Sequence, residues 1–248
     1  MIERYKFADV VVKIDSIYES VHHLCKSYKV TEETEQIMVR ISQEDIDFER
    51  SRADHPDYSD EYLETLAVYR RIAEKMPAYD AFLFHGSAVM VDGEAYIFTA
   101  TSGTGKSTHA SLWREMFGSR AVMVNDDKPL IRVHMDGRVT VYGTPWDGKH
   151  HLSHNIAAPT RAICILERSA GNHIRKISKT EAMPMLLQQT YRPADPVSLA
   201  KTLILIERMN LKLYRLGCNM NPDAAEVAYT AMSENTSDDR NAIIGLNL

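Results

Sequence analysis

Two clusters in this sequence have the residue types and spacing to do chemistry. The first is Thr99-Ala100-Thr101-Ser102-Gly103-Thr104-Gly105-Lys106-Ser107-Thr108, which follows an apolar stretch and opens a helical one. It fits most of the phosphate-loop (Walker A) pattern G-x-x-x-x-G-K-[ST]. Gly103 and Gly105 let the backbone curl so that its N–H groups can face phosphate oxygens, and the start of the helix adds partial positive charge. Lys106 would meet the β- and γ-phosphates, and the Ser107 hydroxyl would bind Mg²⁺. The nucleotide-binding set expected on this pattern is Ser102, Gly103, Thr104, Gly105, Lys106, Ser107 and Thr108. Ala100 stands where the pattern has its first glycine. A positive φ there would cost an alanine about 1–2 kcal/mol.

The second cluster is Asn125-Asp126-Asp127-Lys128, at the end of the apolar run Val122-Met123-Val124. Ligand sites in open α/β sheets lie beyond the carboxyl ends of strands. One strand–helix–strand unit from the glycine loop would therefore bring these carboxylates beside Lys106 and Ser107. One carboxylate can hold Mg²⁺ and the other can take a proton from an attacking hydroxyl. Ser107 and Asp127 are the expected metal pair, with the base left open between Asp126 and Asp127.

These features, together with His85-Gly86 upstream, resemble the HPr kinase/phosphorylase family and its relatives, the phosphoenolpyruvate carboxykinases. The likeness covers residues 82–168. It implies an α/β fold, with a P-loop core built on a mixed, strand-rich sheet and C-terminal helices. It also implies His85 near the transferred phosphate, Lys106 and Ser107 on phosphate and metal, Asp126 or Asp127 as base, ATP or another nucleoside triphosphate as donor, and a homo-oligomer. The chain is too short for a carboxykinase and has no pyruvate-binding constellation. A kinase acting on a hydroxyl of a peptide, a protein or free serine is the expected activity. Two other readings need the same loop: a nucleotide-sensing binding module, which needs no base, and a nucleotide hydrolase, whose acceptor is water.

Outside the motifs, the loop Gly143-Thr144-Pro145-Trp146-Asp147-Gly148-Lys149-His150-His151 is expected to cover the phosphates or the acceptor, with Lys149 offsetting transition-state charge. Trp146 packing on the core is the competing expectation. Arg168, with Arg161 and Arg192 behind it, is a candidate phosphate clamp, because the guanidinium fork matches phosphate oxygens. His150, His151 and His154 lack supporting Asp, Glu or Cys at ligand spacing, so a metal cluster is not expected. Trp113 is expected to pack on the sheet.

Several elements must position these groups. Strands are predicted over 82–91, 95–99, 121–124, 130–134 and 139–142, with Asp92-Gly93 and Asp136-Gly137 as hairpin turns. A helix is predicted over 106–117. A strand at 162–166 is expected to pair with 172–177, followed by helices starting near 180, 195 and 221 and a strand at 211–216. The first 80 residues predict an acidic α+β accessory region: strands at 8–14 and 36–41, helical spacing of Ile17, Val21, Leu24 and Tyr28, a polar loop over 42–60, and a helix capped by Ser59 and ended by Pro77. The catalytic part is then 81–248, with a frayed tail over 233–239.

Composition supports this division. None of the 11 glycines precedes Gly86, and eight fall from Gly86 to Gly148, where tight turns and close backbone approach would be needed. Over the 248 residues, 29 Lys and Arg against 34 Asp and Glu give a net charge of −5, so a basic nucleic-acid surface is not expected. No apolar run reaches 18 residues, and Met1–Lys6 turns charged at once, so neither a membrane span nor a signal peptide is expected. Cys25, Cys164 and Cys218 lie far apart, which suits a reducing cytoplasm and no disulfide framework.

Overall fold

The protein is described by a computed structural model that covers residues 1–148 and 150–234. Its elements are β1 (Ile2–Phe7), β2 (Val10–Asp15), α1 (Ser20–Leu24), β3 (Ile37–Arg40), α2 (Gln43–Arg52), α3 (Asp60–Lys75), β4 (Ala81–Leu83), β5 (Ser87–Val91), β6 (Glu94–Thr99), α4 (Lys106–Phe117), β7 (Ala121–Asn125), β8 (Leu130–Val133), β9 (Val139–Tyr142), β10 (Ala157–Arg168), β11 (His173–Ile177), α5 (Lys179–Gln189), α6 (Pro196–Arg208), β12 (Lys212–Cys218) and α7 (Asp223–Ser233). The architecture is mixed α/β. No described helix is long and apolar enough to cross a membrane.

The larger sheet has the order β4-β8-β9-β10-β6-β5-β7, with β12 pairing β10 and β11 pairing β12. β6, β10 and β12 run parallel, and β5 lies antiparallel between β6 and β7. β6 and β7 therefore point the same way, and their C-terminal ends open on the same edge. Alternation along β6 sorts the core by face. Tyr96 and Phe98 pack under α4 and α7 with Trp113 and Ala228. Ala95 and Ile97 pack on the opposite face with Leu186 of α5 and Leu205 of α6. Trp113 is fully buried, as its position on the helix predicts.

Residues 1–80 form a three-stranded sheet, β1-β2-β3, covered by α3. Their core continues past residue 80: Tyr5, Phe7, Leu63 and Ile72 share one cluster with Leu130, Tyr142 and Trp146. Tyr69 and Trp146 stack face to face, with centroids 4.1 Å apart and an interplanar angle of 1°. Trp146 Nε1 also donates to Thr65 O at 2.8 Å. The 143–148 loop is thus anchored to the N-terminal region at Trp146, which packs in the core.

Several local expectations change. The strand expected over 8–14 begins only at Val10, because Ala8 and Asp9 (φ 48° and 60°) form the turn of a β1–β2 hairpin. The predicted loop over 42–60 contains α2, which is capped reciprocally by Ser42 and Asp45. That helix lacks a strong apolar stripe and is held instead by ion pairs, Asp45 lying 2.9 Å from Arg70 of α3. The single strand expected over 82–91 breaks at His85-Gly86: β4 pairs β8, while β5 pairs β6 and β7. β11 does not pair β10, because β12 is inserted between them. The helical spacing from Ile17 resolves into only the short α1 and a 3-10 turn, leaving Ile17 exposed. The predicted tail lies, from residue 235, outside the described residues.

Candidate active site

The glycine loop occupies the edge where β6 ends. Thr99 Oγ1 donates to His85 O at 2.9 Å, joining the loop's base to the break between β4 and β5. Ala100 is fully buried beneath α4 and is not among the residues with positive φ. The cost expected for alanine does not arise, and its Cβ contributes to the core. The left-handed conformations fall at Gly103 (φ 76°) and Gly105 (φ 117°), both cheap only for glycine.

α4 then starts with no side chain capping its N-terminus and no acidic residue in its first turn. The first N–H groups of a helix have no intrahelical partner, so this end is suited to an anion. Lys106 is buried, with its Nζ 3.4 Å from Ala100 O, folded back along the loop. Burial lowers its pKa from the usual lysine value, opposed by the charges of Asp127 and Asp126.

The acid pair is set by Asn125, the fully buried last residue of β7. Its Oδ1 accepts from Asp127 N at 2.9 Å and Lys128 N at 2.7 Å, an Asx-type turn. Its Nδ2 donates to Thr144 O and Oγ1, both at 3.0 Å. Thr144 Oγ1 donates in turn to Lys128 O at 2.9 Å. Gly86 N donates to Asp127 O at 3.0 Å. The two carboxylates then face different partners. Asp126 Oδ1 accepts from Ser87 Oγ at 2.8 Å. Burial pushes its carboxyl above the usual value, against hydrogen bonds from Ser87 and Ser107. Asp127 Oδ1 lies 3.2 Å from His85 Nε2 and its Oδ2 3.5 Å from Lys128 Nζ. Burial opposes ionisation of Asp127, but the hydrogen bond from His85 and the charge of Lys128 outweigh it and hold the carboxyl below its usual value.

These groups line one open cavity of about 580 Å³ that contains His85, Lys106, Ser107, Asp126, Asp127 and His150. Gly103, Gly105 and Thr108 also line it. Ser102 and Thr104 of the expected nucleotide set do not; the Thr104 hydroxyl pairs with that of Thr101 at 2.9 Å. Ser107 lines the same cavity as both carboxylates, Asp126 and Asp127.

Arg168 reaches the glycine loop: its Nη2 donates to Gly103 O at 2.5 Å, and it lines a neighbouring cavity of about 470 Å³ that shares Gly103, Gly105 and Thr108 with the first. Arg161 reaches Glu94 and Ser233 O, and Arg192 lines a cavity with Phe48 and Tyr191. His151 pairs with Asp147, and His154 Nδ1 lies 3.0 Å from Met123 O. Lys149 lies outside the described residues. Among the described residues, no three His, Cys, Asp or Glu side chains gather as a metal cluster.

Ser111 and Arg114 line the main cavity without having been singled out in the sequence. With Ser107 they follow helical spacing on one face of α4, a signal that was there to be read. Asn125 carried its own signal, an Asx-turn residue directly before the acid pair. Ser87 carried none, since its role depends on a pairing between distant strands.

No protein-family model and no curated protein matches the sequence. Among solved structures, the HPr(Ser) kinase/phosphatase from Coxiella burnetii is similar over 61% of this chain and 99% of its own, with 9% identity and a TM-score of 0.34. A likeness this slight leaves the chemistry to be read from the residues of the site.

Proposed function

We propose that the protein is a Mg²⁺-dependent kinase of the HPr-kinase-like type. It would move the γ-phosphoryl group of ATP or another nucleoside triphosphate to a hydroxyl of a peptide, a protein or free serine. One observation carries the reading: Lys106 and Ser107, at an uncapped helix N-terminus, share a single cavity with Asp126, Asp127 and His85. The loop over residues 101–108 is read as a phosphate-binding loop, with Lys106 meeting the β- and γ-phosphates.

The two aspartates divide the work by their neighbours. Asp127, with its pKa held low by His85 and Lys128, is ionised near neutral pH and takes the proton of the acceptor hydroxyl. The hydroxyl oxygen then bonds to the γ-phosphorus as the bond to the β-bridging oxygen breaks and nucleoside diphosphate leaves. Lys106 and Arg114 offset charge on the transferring group. Ser107 and Asp126 are the oxygen donors suited to Mg²⁺, a hard cation that keeps waters and takes phosphate oxygens as further ligands. When bound, Mg²⁺ would supply positive charge to the β- and γ-phosphates.

Calorimetric titration with MgATP tests the assignment. The wild type is expected to bind, and Lys106→Ala to bind at least about tenfold more weakly, a loss of about 1.4 kcal/mol. Equal affinity in the two proteins, or no binding by either, would refute the reading.

A further inference from the structure

A second cavity, of about 560 Å³, shares Asp127 with the first but opens toward the N-terminal region. Its lining includes Leu24, Tyr62 and Leu66 from residues 1–80 and Pro145 and Trp146 from the following loop. Asp127 is thus a wall of both cavities. We propose that this second cavity is the acceptor site, and that the acceptor is a peptide segment whose hydroxyl residue has an apolar neighbour and a basic flank. The inference rests on the reading of the first cavity as the phosphoryl-transfer site.

Three observations favour a peptide. A hydroxyl in this cavity can meet the Asp127 carboxylate, whose other side faces the glycine loop. The surface next to it is apolar and aromatic, with Tyr62 44% exposed and tilted against Tyr58 at a centroid distance of 4.8 Å. Free serine would leave that surface and most of the volume unfilled. The charge is also complementary: exposed Glu61 is part of the lining, and residues 1–80 carry 18 acidic against 11 basic side chains. The acidic N-terminal region then has a task, that of recognising the segment whose hydroxyl enters the site.

The anchoring of the loop supports a formed groove. Trp146 is fixed by Tyr69 and Thr65, and Asp147 Oδ2 accepts from Ser153 N at 3.0 Å. Pro145 and Trp146 are therefore fixed against α3, and the peptide need not order this wall on binding.

A serine-centred positional-scanning peptide library with MgATP tests this, using the wild type, Tyr62→Ala and Glu61→Lys. Both side chains are exposed, so neither substitution opens the core. The wild type is expected to prefer peptides with an apolar residue beside the serine and a basic flank, and to leave free serine unmodified. Tyr62→Ala should raise the KM for the preferred peptide by at least about tenfold with ATP affinity unchanged, and Glu61→Lys should turn the flank preference from basic to acidic. Phosphorylation of free serine as readily as of peptides, or a KM indifferent to both substitutions, would overturn the acceptor site and leave the transfer reading standing. No transfer to any peptide or to serine would overturn both.

Discussion

His85 Nε2 and Asp127 Oδ1 meet at 3.2 Å, bringing the break between β4 and β5 to the turn that follows β7. That contact holds the Asp127 carboxyl below its usual pKa in spite of its burial. Replacing His85 with alanine should raise the Asp127 pKa. If Asp127 is the base, the acidic limb of the pH–rate profile then moves to higher pH, and the stabilisation that Asp127 provides above pH 3.8 shrinks. A pH–rate profile of wild type and His85→Ala checks the direction; an unmoved acidic limb would remove Asp127 from the role.

The two aspartates should separate by their readouts. Asp127→Asn removes the base and should lower kcat by about 10²–10⁴-fold with ATP affinity retained. Asp126→Asn weakens the oxygen pair with Ser107 and should instead raise the Mg²⁺ concentration needed for half-maximal rate. Steady-state kinetics across a Mg²⁺ series distinguishes them, and the opposite pattern would exchange their roles.

Asn125 positions the pair without facing the cavity. Asn125→Ala leaves the Asp127 and Lys128 N–H groups without their acceptor, at a cost of about 1–3 kcal/mol for each one left unsatisfied. Thermal unfolding should show the loss. The kcat should fall as well, because the turn that aims Asp127 is no longer held. A stable variant with wild-type kcat would contradict that role.

His109, on α4 behind the glycine loop, gives a separate pH dependence. Trp113 Nε1 lies 3.1 Å from His109 Nε2, and burial lowers the His109 pKa from 6.5 to about 4. The unfolded chain protonates this histidine first, so stability should fall as pH drops from about 6.5 to about 4, by about 3 kcal/mol. Denaturant unfolding followed by tryptophan fluorescence measures the slope, which His109→Gln should flatten over that window.

The parts of the site that follow from local chemistry were legible in the sequence. Gly103 and Gly105 sit where left-handed backbone is required, and Asp126-Asp127 end a strand on the same sheet edge. The parts set by distant pairing were not. The run over 82–91 is apolar throughout, and only the sheet shows that it leaves one ladder at His85 and enters another at Ser87. Gly86 marks the place, since a Cβ there would lie 3.0 Å from Phe98 O, but a glycine in a strand does not say what approaches it. The insertion of β12 between β10 and β11 is equally non-local. α2 offers no strong apolar stripe to read, because its stabilisation is ionic, through Asp45 and Arg70. Which aspartate meets Ser87 and which meets His85 depends on the face each side chain takes after the strand ends, and adjacency in sequence cannot decide that.

The most direct test of the central claim is to follow the label from γ-³²P-ATP incubated with Mg²⁺, a mixture of serine- and threonine-containing peptides, and either wild-type protein or Lys106→Ala. The account predicts acid-stable phosphoserine or phosphothreonine formed together with ADP by the wild type, and at least about 100-fold less by Lys106→Ala at unchanged thermal stability. Label released only as orthophosphate, at a rate indifferent to the peptides, or equal incorporation by the two proteins, would contradict it.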